Sequence, residues 1–177
     1  MYCIGIDQSY TSTGIAISKD GVLIKAASYK PKGKCKAEKR LDMYSKLIEI
    51  ITEVKEYAGF DSLEVVYERV RMHSGGFVSM PYILATAALC GTIQEVAYEM
   101  GAGCYSVDTR AWKAAVVGST AKQENDEKIP PAKYLTVLWA REQEIVGVDE
   151  KDNDKCDAMA ISQTWWLCKN KLKDELK

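Results

Sequence analysis

The sequence predicts an α/β domain built on a mixed sheet flanked by helices, and three observations carry that reading. The chain opens on two short apolar runs, Ile4-Gly5-Ile6-Asp7 and Thr13-Gly14-Ile15-Ala16-Ile17, around a polar turn, which is the pattern of an antiparallel hairpin. Further on, short β-rich runs alternate with amphipathic helical segments, and such crossovers require parallel strand neighbours. The 177 residues contain no repeat, low-complexity tract or linker, so residues 1–177 are expected to form one domain.

In order, the first strand places Ile4 and Ile6 on one face and Gly5 with Asp7 on the other. After the hairpin, Lys19-Asp20-Gly21 predicts a tight turn into a third strand over 21–28. The segment 30–36 is a lysine-rich loop. From about Ala37 to Ala58, Leu41, Tyr44, Leu47, Ile48, Ile51 and Val54 recur at helical spacing, and Gly59 stops the helix. A strand over Leu63–Glu68 follows, parallel to the first and ending, like it, in an acid. The loop Arg69 to Met80 leads to a helix from about Pro81 to Met100, in which Ala85, Ala88 and Gly91 allow close packing. Cys104–Val107 is a strand, with Thr109 placed to cap a short helix over 110–116. Pro131 suits the first turn of a helix reaching about Glu144, and a last helix spans about Asp154 to Lys169.

Composition narrows the class. A net charge of −1 argues against a uniformly basic nucleic-acid coat, yet Lys30, Lys32, Lys34, Lys36, Lys39 and Arg40 form a local basic run with one acid among them. The six cysteines form no CxxC pair, which argues for reduced, buried thiols and against zinc. No apolar run has the length of a membrane span, and the start has no basic n-region, so a cytoplasmic protein is expected.

The chemistry is carried by four acids. Asp154 and Asp157, three apart, project from one face of the first turn of the last helix. Capping alone explains one or two acids there, but Ala158, Ala160 and Ile161 directly behind them suggest a helix start pressed against the sheet. Asp7 and Glu68 end two strands that would lie side by side. Two carboxylates about 4 Å apart repel by roughly 4 kcal/mol at an effective dielectric near 20, so four together need cations or protons. Oxygen-only ligands suit Mg²⁺ or Mn²⁺, and two hard cations held by carboxylates hydrolyse phosphodiesters.

Taken together, Gly5-Ile6-Asp7 with Thr13-Gly14, the strand ending in Glu68, Trp112-Lys113 with Val116-Val117-Gly118 and Ala121-Lys122, and Asp154-x-x-Asp157-Ala158-x-Ala160-Ile161 resemble the RuvC-type Holliday junction resolvases of the ribonuclease H-like superfamily. The resemblance runs in order over nearly the whole chain. It implies a five-stranded ribonuclease H-like sheet, Asp7, Glu68, Asp154 and Asp157 as metal-binding catalytic acids for two Mg²⁺ (or Mn²⁺) ions, and Lys113 and Lys122 at the scissile phosphate. It also implies a homodimer that nicks four-way DNA symmetrically, without a nucleotide cofactor or a membrane. DNA contacts are expected from Lys30, Lys32, Lys34, Lys36, Arg69, Arg71, His73 and Phe77, in addition to Lys113 and Lys122. Two departures stand out. Cellular members carry an aromatic wedge after the second acid where this chain has Arg71, leaving Phe77 or Tyr82 to substitute, and the segment 123–131 looks more like phage-encoded versions.

Three rivals remain open on the sequence: a related nuclease acting on RNA or flaps, a junction-binding protein that does not cleave, and a phosphotransferase of the actin and sugar-kinase type. The last shares a Gly-Ile-Asp-x-Ser-x-Thr-Ser-Thr-Gly opening, but it would require a second domain and a glycine-rich adenosine-binding segment.

Overall fold

In a computed structural model, residues 1–59, 62–70, 79–118, 133–143, 145 and 152–174 are described. Strands β1 (Tyr2–Asp7), β2 (Thr13–Lys19), β3 (Val22–Tyr29), β4 (Leu63–Glu68), β5 (Gly103–Val107) and β6 (Lys173–Asp174) form one sheet in the order β3-β2-β1-β4-β5-β6. The mixed five-stranded ribonuclease H-like sheet expected from the sequence is present, and the two-residue β6 adds an antiparallel edge to β5. β1 pairs antiparallel with β2 and parallel with β4, and β4 pairs parallel with β5.

The hairpins form for local reasons. Asp20 and Gly21 both take positive φ, 49° and 85°, as a two-residue turn matched to strand twist demands. Around Ser9–Thr13 the turn closes on itself: the Ser9 N–H donates to the Thr13 hydroxyl at 3.0 Å, which donates to the Ser9 carbonyl at 2.8 Å.

Helices α1 (Lys36–Ala58) and α2 (Met80–Glu99) cover one face of the sheet. Their core contains Ile4, Ile6, Met43, Leu47, Ile51, Leu89 and Ile93. Gly59 ends α1 at φ 60°, as its sequence position predicts. The α1 stripe is rotated from the expected one: Met43 and Ile50 are buried, whereas Leu41 is 62% exposed. Helices α4 (Tyr134–Arg141) and α5 (Asn153–Cys168) cover the other face, against Ala16, Cys3 and Val66. Trp112 and Trp165 are core residues on that side. Cys3, Cys90, Cys104 and Cys156 are buried free thiols, while Cys35 is exposed at the start of α1. No described helix is long and apolar enough to cross a membrane.

Between β5 and α4 the expected helix over 110–116 is instead a short α3 (Thr109–Trp112) that widens into a π-helical turn, Lys113–Val117. Its cap is Asp108, whose side chain accepts the Arg110 N–H at 2.8 Å, not Thr109. This correction has a chemical reason, because the Thr109 hydroxyl is engaged elsewhere.

Candidate active site

Two glycines bring α5 onto the sheet. A Cβ on Gly5 would lie 2.4 Å from the Ala158 carbonyl oxygen, and one on Gly14 would lie 1.8 Å from that of Asp154. Gly14 is the register partner of Asp7, so the helix start is laid directly over the end of β1. Asp152 caps α5 by accepting the Lys155 N–H at 3.3 Å, which orients the first turn that carries Asp154 and Asp157.

The carboxylates of Asp7, Asp154 and Asp157 meet at a lysine the sequence did not single out. The Lys133 ammonium, just before α4, lies 2.8 Å from Asp157 Oδ2, 3.6 Å from Asp154 Oδ1 and 4.0 Å from Asp7 Oδ2. Its neighbours in sequence are polar and proline-bearing, so it read as one more solvated charge. The one available signal was a cation at a helix start, where the dipole favours acids.

Glu68 stands beside this group at the end of β4. Its carboxylate accepts the Thr109 hydroxyl, and Trp112 Nε1 lies 3.4 Å from Oε2. The four predicted acids therefore share one electrostatic neighbourhood. Burial, then repulsion from Asp157, holds the Asp7 carboxyl well above the ordinary range, and Lys133 only partly offsets this. Burial also raises Asp157, against the pull of Lys133, and raises Glu68, against the Thr109 bond. Lys133 is raised as well: burial opposes its charge, but Asp157 and Asp7 outweigh that and keep it protonated.

Among the described residues no three acidic, histidine or cysteine side chains converge closely enough to coordinate an ion as they stand. The donor set nevertheless fits a hard divalent cation. Four carboxylates outnumber one ammonium, and Asp157 Oδ1 is buried without a hydrogen-bond partner among the described residues. Oxygen donors of this kind match Mg²⁺ or Mn²⁺.

Of the other predicted residues, Lys113 lies near enough to lower both Glu68 and Asp157 electrostatically, with Nζ 5.2 Å from the Trp112 ring centre. Arg69 is exposed and donates to the Ser106 hydroxyl at 2.7 and 2.9 Å. Lys30, Lys32, Lys34 and Lys36 are exposed around the start of α1. That helix start is tied to the turn after Asp7: Lys39 Nζ donates to the Tyr10 carbonyl at 3.1 Å, and Lys36 Nζ is 5.9 Å from the Tyr10 ring. Arg71, His73, Phe77 and Lys122 lie outside the described residues.

No family model and no curated protein matches the chain. Solved structures do. RuvC of Thermus thermophilus in complex with a Holliday junction substrate superposes with a TM-score of 0.70 at 18% identity, covering 96% of this chain and 95% of that one. A second Thermus thermophilus RuvC structure gives 0.66 at 17% identity, with 96% of both chains covered. The yeast mitochondrial Holliday junction resolvase Ydc2 gives 0.52 at 15% identity, over 92% of this chain and 76% of that one. The fold of this chain is thus the ribonuclease H-like fold of RuvC.

Proposed function

We propose that the chain is a single-domain, Mg²⁺-dependent endonuclease that resolves four-way or otherwise branched DNA by paired symmetric nicks. The observation that carries this reading is the gathering of Asp7, Asp154 and Asp157 within 4.0 Å of one ammonium, beside Glu68, on a fold shared with junction resolvases.

Asp7, Glu68, Asp154 and Asp157 would hold the cations. Divalent ions bound there supply a polarised water and stabilise the leaving oxygen of a phosphodiester. Thr109 and Trp112 keep the Glu68 carboxylate oriented, so it does not have to reorganise when the phosphate arrives. Lys133 and Lys113 supply the positive charge that a phosphate needs to approach clustered acids, and Lys122 is assigned the same role from sequence. The basic start of α1, fixed to the turn after Asp7, contacts the backbone of a duplex arm. Arg69, Arg71, His73 and Phe77 follow Glu68 in the chain and are assigned contacts to the DNA from sequence.

Paired nicks require two sites, and α2 offers a surface for a second copy. Met80, Leu84, Ala87, Gly91 and Tyr98 recur on one side of it, with Met80, Leu84 and Tyr98 between 57% and 74% exposed. We assign this stripe to the homodimer, and Gly91→Arg is expected to give monomers by light scattering.

The deciding experiment gives the purified protein a labelled four-way junction and a linear duplex, each with Mg²⁺ and with EDTA. Symmetric metal-dependent nicks confined to the junction are expected. Binding without cutting would favour an architectural role, and cutting of RNA or flaps in preference would move the assignment to another nuclease of this fold.

A further inference from the structure

The paired register of β1 and β4 runs from Tyr2 opposite Leu63 to Ile6 opposite Tyr67, and the next residue on each strand is an acid. One residue beyond Asp7, Gln8 turns to the opposite face, toward α2, and is 9% exposed. Its Nε2 donates to the main-chain carbonyl of Glu68 at 2.5 Å, and Cys90 Sγ on α2 lies 3.4 Å from the same nitrogen. The other half of the amide is idle: Oε1 is buried and has no partner among the described residues.

An amide with one unsatisfied buried oxygen is a poor choice for stability. An apolar side chain of similar shape would remove the idle oxygen, though it would also take the donor away from the Glu68 carbonyl. What the amide adds is a cross-strand bond at the level of the acids, made from the side of the sheet away from them. On the far side of β4, the Arg69 N–H donates to the Val107 carbonyl at 2.8 Å, while Thr109 and Trp112 hold the carboxylate itself. Glu68 is thereby fixed to its neighbours from β5 onward, and Gln8 is the side-chain link that fixes it to the strand of Asp7.

We infer that Gln8 is a positioning residue that sets the spacing of Asp7 and Glu68 and thereby the affinity of the site for a divalent ion. This rests on the assignment of the four acids made above. Small hard cations such as Mg²⁺ demand close to ideal octahedral geometry, so a small drift of one ligand strand weakens binding more than it weakens the fold.

The test measures Mn²⁺ binding to the full chain by paramagnetic resonance of the free ion, alongside the melting temperature, for wild type, Gln8→Met and Asp7→Asn. Gln8→Met is expected to weaken Mn²⁺ binding about tenfold, as loss of a ligand-orienting partner does, with a melting temperature within about 5 °C of wild type. Gln8→Leu replaces it if the methionine variant is unfolded by circular dichroism. Wild-type Mn²⁺ affinity in a folded Gln8 variant, with binding lost in Asp7→Asn, overturns the role of Gln8 and leaves the acid site standing. A Mn²⁺ loss matched by a fall in melting temperature of about 10 °C marks Gln8 as a stability residue and also overturns it. Unchanged Mn²⁺ binding in Asp7→Asn removes the acid site and this inference together.

Discussion

The Lys133 ammonium lies 2.8 Å from Asp157 Oδ2, and the same ammonium is within 4.0 Å of Asp154 and Asp7. A protein cation thus stands among carboxylates that would otherwise repel one another. An ion entering the site would compete with this lysine for the same oxygens, and several measurable consequences depend on that competition.

Removing the lysine separates its two roles. Without metal, Lys133→Ala is expected to lose about 2 kcal/mol of stability, less than a fully buried pair would because the lysine side chain keeps 29% of its exposure. The melting-temperature increase produced by Mg²⁺ should be larger in this variant than in wild type. Equal increases would mean that the ion and the ammonium do not share ligands. Junction nicking should fall sharply, since the phosphate loses a cation at the site.

Neutralising an acid works in the other direction. Asp7→Asn removes a buried, repelled charge, so the metal-free protein is expected to gain about 1 kcal/mol in urea unfolding at neutral pH. Cleavage should be lost while junction binding is kept or tightened. An Asp7→Asn protein that nicks at the wild-type rate would remove Asp7 from the site.

The pH dependence follows from the same groups. Asp7, Asp157 and Glu68 all titrate above their ordinary range because of burial first, helped in each by neighbouring acids. Between the unfolded carboxylate value near 4 and the raised folded values, the native state holds more protons than the unfolded one. Metal-free stability from these groups is therefore highest at the acidic end of that window and falls as pH rises through it. Urea unfolding across this range should show the decline, and Asp7→Asn should flatten it.

Gly14→Ala tests how α5 is seated. A Cβ placed 1.8 Å from a backbone oxygen cannot be relieved by turning a side chain, so the helix or the strand must shift. A loss of about 3 kcal/mol or more is expected by denaturant titration, together with loss of cleavage.

Thr109→Val keeps the shape of the side chain and removes the donor to Glu68. With Glu68 less well held, the rate is expected to drop by about tenfold while the affinity for the junction stays within about twofold. A fall in junction affinity of the same size as the fall in rate would show that Thr109 supports binding and not the chemistry.

The strand acids were readable because a period of two assigns faces without further information. Gly5 and Asp7 had to share a side, and the Asp154–Asp157 pair had to leave one face of a helix. Lys133 was not readable, because nothing in a lysine's local sequence says whether its charge meets water or three carboxylates. Thr109 read as a cap for an instructive reason: Asp108 is equally able to cap, and only the position of Glu68 across the sheet decides between them. The π-helical turn at Lys113–Val117 and the two-residue β6 leave no periodic trace in so few residues. Gln8 carried no signal at all, because its partner carbonyl is sixty residues away.

The order in which the four acids occur along the chain has a consequence for the proposed activity. Asp7 and Glu68 are synthesised early, but Asp154 and Asp157 arrive only with α5, and that helix must dock over Gly5 and Gly14 before the acids meet. At ordinary translation rates on the order of ten seconds separates the first acid from the last. On the proposed function, a nascent or misdocked chain holds half a site, and cutting of DNA would begin only when the last helix has closed over the first strand.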